Sequence, residues 1–203
     1  MTGGVASPTP IPPGYGLLSP YRPTGGGLAG YTAALAAELR TGPPAGRVGV
    51  VRVVDRIERS ARAEVVHHLL TSAPGGEAEA AAILNDFDVV IVHHDDGIYG
   101  GPDGDQLVSV LARLTAPVIV VLHTVPDDPT LHQRDVLEQV LAAADAIVTM
   151  SPSAQRRLLQ DHFVDPARVV VIPHGAQLLW SAVAEQYRAL AGALLDAADV
   201  AVG

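Results

Sequence analysis

Five short segments carry the residues whose types and spacing could do chemistry. Gly25-Gly26-Gly27-Leu28-Ala29-Gly30 offers backbone N–H groups bare of side chains, which suit a phosphate at the start of a helix. His93-His94-Asp95-Asp96, running on through Gly97-Ile98-Tyr99-Gly100-Gly101-Pro102-Asp103-Gly104, supplies imidazoles, carboxylates and a phenol. His123-Thr124, Met150-Ser151 and His174-Gly175 complete the set. Neighbours on a strand point to opposite faces, so His93 and His94 do not readily share an ion. No H-x-x-x-H and no second carboxylate cluster joins them, and no metal is expected. No G-x-S-x-G elbow is present, which argues against a hydrolase triad. The glycine run matches G-x-G-x-x-G literally, and Asp55 lies near the place of an acidic ribose partner. However, Pro20-Tyr21-Arg22-Pro23-Thr24 separate the run from the preceding apolar stretch, where the dinucleotide fingerprint has its first glycine at once. A dinucleotide site is therefore a remote reading, and a plain flexible loop is the bland one. His67-His68 reads as a strand end with no role. His123 has the alternative of a satisfied, buried strand-end histidine, and His174 of a residue that closes the last strand.

The elements that must position these segments follow from periodicity. Short β-rich runs are predicted at 15–19, 48–54, 65–69, 89–93, 118–122, 146–149 and 169–172. Several are continuously apolar, as strands buried on both faces of a parallel sheet are. Helical stretches are predicted at 27–40, 77–85, 104–115, 130–143, 152–162 and 180–197. The third places Leu107, Val110, Leu111 and Leu114 on one stripe. This alternation predicts an α/β fold with a single doubly wound, mostly parallel Rossmann-like sheet and an added C-terminal helix. All five chemical segments then fall at carboxyl ends of strands, where open parallel sheets bind ligands. The final helix carries Trp180, Val183, Ala184, Tyr187, Leu190, Ala191 and Leu194 on one face and must be covered by the sheet domain.

Composition narrows the function classes. At 203 residues the chain suits one domain, or one and a half. It is 48% hydrophobic with only 4% aromatics, so the core is aliphatic. A net charge of −9, with thirteen basic residues scattered along the sequence, argues against nucleic acid or an anionic membrane as partner. The chain has no cysteine, which fits a cytoplasmic location. No apolar run reaches the ~18 residues of a spanning helix, so no integral membrane segment is expected. Residues 1–13 are rich in Gly, Pro and Thr and read as a disordered tail with no signal-peptide pattern.

In order and spacing, Tyr21-Arg22-Pro23-Thr24-Gly25-Gly26-Gly27-Leu28-Ala29-Gly30-Tyr31, His94-Asp95-Asp96-Gly97-Ile98-Tyr99-Gly100-Gly101, Leu122-His123-Thr124-Val125, Met150-Ser151 and Val171-Ile172-Pro173-His174-Gly175 form one composite. It resembles the N-terminal domain of retaining glycosyltransferases of the GT-B fold, family four, most of all actinobacterial members. The resemblance covers about residues 14–176. The helix from Leu179 resembles the family's last helix, which crosses back from the second domain onto the first. The resemblance implies sugar transfer from a nucleotide-sugar, as substrate and not cofactor, to an unknown acceptor, without a divalent metal. It implies Gly25, Gly26 and Gly27 against the donor diphosphate and a catalytic-site position for His123 facing the transferred sugar. It places His94, Asp95, Tyr99 and Thr124 on the acceptor side. The family commonly has Gln-His-Glu-aromatic where this chain has His93-His94-Asp95-Asp96, and Cys-Gly where Gly26-Gly27 stand. Nothing after Ala176 matches the donor-binding second domain. The join at Ala176–Gln177 reads as an in-frame loss of a domain-sized segment. The expected organisation is a tail over 1–13, the Rossmann-like domain over 14–176 and a helix packed back on it over 177–203. Such a chain is expected to be an acceptor-side half, incompetent by itself, because transfer needs fixed cations around the diphosphate in a closed cleft. The alternative is a degenerate Rossmann module that pairs with a partner chain through its exposed strand-end face.

Overall fold

The computed structural model describes residues 12–57, 62–73, 75–95, 97–173 and 179–202. Residues 1–11 of the expected tail, Asp96, His174 and the Ala176–Gln177 join lie outside the described residues. Seven strands, β1 (Tyr15–Ser19), β2 (Val48–Val54), β3 (Val65–Leu70), β4 (Val89–His94), β5 (Val118–Leu122), β6 (Ala146–Thr149) and β7 (Val169–Val171), form one sheet in the order β3-β2-β1-β4-β5-β6-β7. Every pairing is parallel. The order reverses direction between β1 and β4, which are paired from Tyr15↔Val89 to Leu18↔Val92. That is the switch point at which open α/β sheets hold ligands.

The helices are α1 (Gly27–Thr41), α2 (Glu77–Leu84), α3 (Gln106–Leu111), α4 (Leu131–Ala143), α5 (Pro152–Asp161) and α6 (Trp180–Val202). Right-handed crossovers decide which face each helix covers. Chain that moves from β1 to β2 runs one way across the sheet and puts α1 on one face. Chain that moves from β3 through β4 to β7 runs the other way and puts α2, α3, α4 and α5 on the opposite face. Accordingly, Leu84, Leu107, Val140 and Leu158 share one core with Val90, Val120 and Ile147. On the α1 face, among the described residues, no helix stands between β2 and β3. The β4–β6 half of that face would be bare without α6. Val183, Ala184, Tyr187 and Ala191 of α6 fill it, against Val89, Ile91, Ile119, Val121 and Val148.

Two contacts fix α6 to α1. The Tyr31 and Tyr187 hydroxyls are 3.0 Å apart in the interior. Arg188 donates to the carbonyls of Glu38 (2.6 Å) and Gly42 (3.2 Å) at the C-terminal end of α1, where the helix dipole favours a cation.

The third helix differs from the sequence expectation at both ends. A 3₁₀ turn at Pro102–Gly104 precedes it, with φ of +50° at Asp103 and +79° at Gly104. Those left-handed values break the α-helix that the apolar stripe predicts from 104. Leu107, Val110 and Leu111 are buried as the stripe requires, and Leu114 packs beside them from the following turn. His67 and His68 lie within β3, which continues to Leu70 opposite Val54, and not at its end.

Candidate functional site

The glycine segment is presented by a loop anchored on its N-terminal side. Arg52 on β2 is buried, and its Nε donates to the Tyr21 carbonyl (3.0 Å) while its Nη2 donates to Thr24 Oγ1 (2.7 Å). The Tyr21 hydroxyl donates to Glu64 (2.9 Å), which Arg40 also reaches (3.1 Å). Past the glycines, Ser19 Oγ and Thr32 Oγ1 are 2.7 Å apart and Thr32 donates to the Leu28 carbonyl, so the end of β1 is tied to the first turn of α1. Between these anchors Gly25, Gly26 and Gly27 are exposed. Nothing lies within 4 Å of where a Cβ would sit on any of the three. Gly26 is the N-cap of α1 with φ of +110°, no side chain caps the helix, and no acidic residue stands in its first turn. The first N–H groups of α1 thus meet open space with a positive dipole end behind them.

A crevice of about 550 Å³ opens in front of this loop. Gly25, Gly26 and Gly27 form one wall, Asp95, Gly97 and Ile98 after β4 form another, and Asp55 and Thr71 close the side toward β2 and β3. A second hollow of about 270 Å³ lies against Thr24, Gly25, Arg52, Asp55 and Arg56. The crevice sits at the β1/β4 switch point, so four strand ends supply its walls.

The histidines form a separate group behind the α1 face. His93 at the end of β4 is fully buried, and its Nδ1 lies 2.9 Å from Nε2 of His123. The main-chain N–H of His123 donates to the His94 carbonyl (2.9 Å), which continues the β4–β5 ladder by one residue. The Tyr31 ring stands edge-on to His93, to His123 and to Trp180 at centroid distances of 5.5, 5.3 and 5.0 Å. Trp180, the first residue of α6, thereby reaches the same cluster as His123. His94 is buried at the strand end, and Thr124 is exposed beside His123. Tyr99 is in the interior, where its hydroxyl donates to the His93 carbonyl (2.7 Å) and burial raises its pKa. Ser151 caps α5, its hydroxyl accepting from the Ala154 N–H (3.2 Å).

The structure therefore brings Gly25, Gly26, Gly27 and Asp95 to one crevice and pairs His123 with His93. It holds Tyr99 to the main chain beneath them. Among the described residues no group of three or more His, Asp and Glu could hold a metal, and no helix is long and apolar enough to cross a membrane. Arginines spread along the sequence converge in the fold: Arg22, Arg40 and Arg62 line one pocket of about 300 Å³ beside α1.

The profile of Glycosyltransferase Family 4 matches residues 25–178, from the first glycine of the loop past the last strand. The chain belongs to that family. No curated protein matches it significantly. Among solved structures it is similar to an alpha-glucosyltransferase in complex with UDP and a 13-mer DNA containing a central A:G mismatch, at 13% identity and a TM-score of 0.53, over 79% of this chain and 40% of that one. It is also similar to a glycosyltransferase from Rickettsia africae ESF-5, at 14% identity and a TM-score of 0.50, over 79% of this chain and 42% of that one. These likenesses agree on the Rossmann-like half of a GT-B fold. The chain spans about 40% of the length of the solved structures it resembles.

Two site residues of this family 4 domain escape a motif reading. Arg52 is the one charge inside Val48-Gly49-Val50-Val51-Arg52-Val53-Val54, and that anomaly is its sequence signal. Replacing it with leucine removes two charge-assisted bonds, each worth about 1.5–3 kcal/mol. The expected result is a clear loss of stability together with faster amide exchange at Gly25, Gly26 and Gly27 than elsewhere; uniform exchange would contradict the anchoring role.

His93 is the other, because only the fold sets it against His123. Burial, aided by the neighbouring imidazole, pushes the His93 pKa well below its ordinary 6.5. It therefore stays neutral in the folded state while the unfolded chain takes up a proton below about pH 6.5. More protons bound in the unfolded state means that stability falls as pH drops. His93 should therefore contribute to a loss of stability between pH 7 and pH 5. Urea unfolding at the two pH values measures it, and His93→Asn should flatten the dependence.

Proposed function

We propose that the chain is the acceptor-side half of a retaining sugar transferase that uses a nucleotide-sugar donor. The observation that carries this reading is the bare glycine loop. At Gly25 and Gly27 neither packing nor a positive φ calls for glycine, since no protein atom lies within 4 Å of a Cβ there. Side chains at these positions would instead fill the space in front of the α1 N-terminus, which favours phosphate. The donor diphosphate would lie there. His123 would face the transferred sugar, with Thr124 beside it. His94 and Asp95 would border the acceptor across the crevice, and Tyr99 would serve that wall by holding the His93 carbonyl. Asp55 lines the same crevice, so a dinucleotide is the comparison ligand that any binding test must include.

In this reading the 203-residue chain supplies only half of the cleft. Two facts support it. The chain spans about 40% of the solved glycosyltransferases, and eight residues separate β7 from α6, which packs on the same sheet. Binding of nucleotide-sugar is then weak and depends on the loop. Gly26→Val tests the placement. It forces a β-branched residue toward φ of +110° and puts methyl groups into the crevice. Calorimetry with UDP- and GDP-sugars should show binding to the wild type and none to the variant. Binding that survives in a folded variant would remove the loop from the donor site.

A further inference from the structure

We infer that Gln106 is a positioning residue: it fixes the crevice wall formed by Gly97 and Ile98, so that this wall is in place before a ligand arrives. Which ligand the wall meets rests on the sugar-transfer reading above; the anchoring itself follows from interior contacts. Gln106, the first residue of α3, is buried. Its Oε1 accepts from the Gly100 N–H (3.0 Å), and its Nε2 donates to the Leu70 carbonyl (2.8 Å) and to Glu77 Oε1 (3.0 Å). Its main-chain N–H donates to the Gly100 carbonyl (3.1 Å). One residue thus joins the loop after β4, the end of β3 and the first turn of α2. Glu77 is held in turn, because its Oε2 accepts from the Gly75 N–H (2.9 Å).

The junction is tight. A Cβ on Gly100 would lie 2.2 Å from the Thr71 carbonyl oxygen, so the loop backbone rests directly on the end of β3. Thr71, Gly97 and Ile98 line the crevice, and Thr71, Gly100 and Gln106 line a neighbouring hollow of about 310 Å³. Gly100 therefore stands two residues from Ile98 on the partition between the two spaces. The chemistry of the junction selects glutamine. It needs an acceptor toward the Gly100 N–H and donors toward a carbonyl and a carboxylate, which one amide supplies in one orientation. A carboxylate in its place would face Glu77 and the Leu70 carbonyl with no proton to give. An apolar side chain would strip the buried Gly100 N–H of its acceptor, and a buried donor left unmatched is costly.

The test is amide NMR on nitrogen-labelled chain without ligand. In the wild type the Gln106 side-chain amide protons should exchange slowly, and fast exchange overturns the inference. In Gln106→Glu at about pH 8 the Gly97 and Ile98 signals should shift or broaden while the chain stays folded. At about pH 5 they should return toward their wild-type positions. Two carboxyls so close hold a proton above the usual carboxylate range, and the protonated one donates again. Asp105 lines the same hollow as Glu77, and Arg113 acts on Glu77 by its charge. Gln106→Met keeps all three charges, so it reports their pH response without the pair and should show displaced signals at both pH values. A glutamate variant with wild-type signals at about pH 8, or one that follows the methionine variant at both pH values, overturns the inference. So does loss of the whole fold in both variants, which would make Gln106 a structural residue only. UDP-glucose should then bind the glutamate variant about tenfold more weakly than the wild type at about pH 8. Unchanged binding beside displaced wall signals overturns the positioning role. Absence of binding to the wild type counts against the sugar-transfer reading, while the ligand-free spectra still decide the wall.

Discussion

Tyr187→Ala will destabilise the chain by about 3–5 kcal/mol, the cost of truncating a large buried aromatic. A chain ended at Pro173 will not remain folded and soluble. The reason lies in the crossover rule. Among the described residues only α1 is delivered to its face of the sheet by the strand connections, and the β4–β6 half depends on α6 for cover. Tyr187 is fully buried at the centre of that cover, and its hydroxyl is bonded to Tyr31, which in turn packs on His93 and His123. Removal of the ring leaves a cavity beside Tyr31, which packs on the histidine pair. Tyr187→Phe keeps the packing and loses one hydrogen bond, a cost of about 1 kcal/mol. Leu179, exposed just before the helix, should tolerate alanine within about 0.5 kcal/mol. Urea unfolding orders the three variants, and a Tyr187→Ala loss no larger than that of Leu179→Ala would show that α6 does not carry the face.

The second large effect concerns turnover. Tested by itself, the 203-residue chain should release no UDP or GDP from a nucleotide-sugar above the uncatalysed rate, with any acceptor offered. Departure of the diphosphate needs charge stabilisation fixed before reaction, and a single missing donor of that kind costs roughly 10²–10³ in rate. Among the described residues the crevice supplies the N-terminus of α1 and, in the adjoining hollow, Arg52 and Arg56. In the half-enzyme reading water would not be excluded from the site, which would weaken every electrostatic contact in it. Saturable turnover by purified chain, lost in His123→Ala, would contradict the half-enzyme reading.

Much of this was legible in the sequence. Runs such as Val89-Val90-Ile91-Val92 and Val118-Ile119-Val120-Val121-Leu122 read as strands because a sheet covered on both faces needs no polar alternation. The apolar stripe of the last helix announced that it must be buried, and the strand-end rule placed the crevice. The ends of α3 were not legible. Left-handed backbone at Asp103 and Gly104 is decided by the turn that packs Tyr99 under His93, and not by local periodicity. The histidine pair was hidden because its members belong to different strands, and alternation by itself says only that His93 and His94 face opposite ways. The gathering of Arg22, Arg40 and Arg62 at one pocket was hidden for the same reason. Arg52 was visible as a lone charge in an apolar strand, but its task depends on how the loop before the glycines folds over it.

The central claim is that the crevice at the glycine loop recognises the diphosphate of a nucleotide-sugar. Its most direct test is an amide NMR titration of nitrogen-labelled chain with UDP-glucose and, separately, with NAD. The account predicts saturable shifts concentrated at Gly25, Gly26, Gly27, Asp95 and Gly97 with UDP-glucose, and weaker or no shifts with NAD. Shifts confined to other surfaces, or a response at these residues to NAD alone, would contradict it.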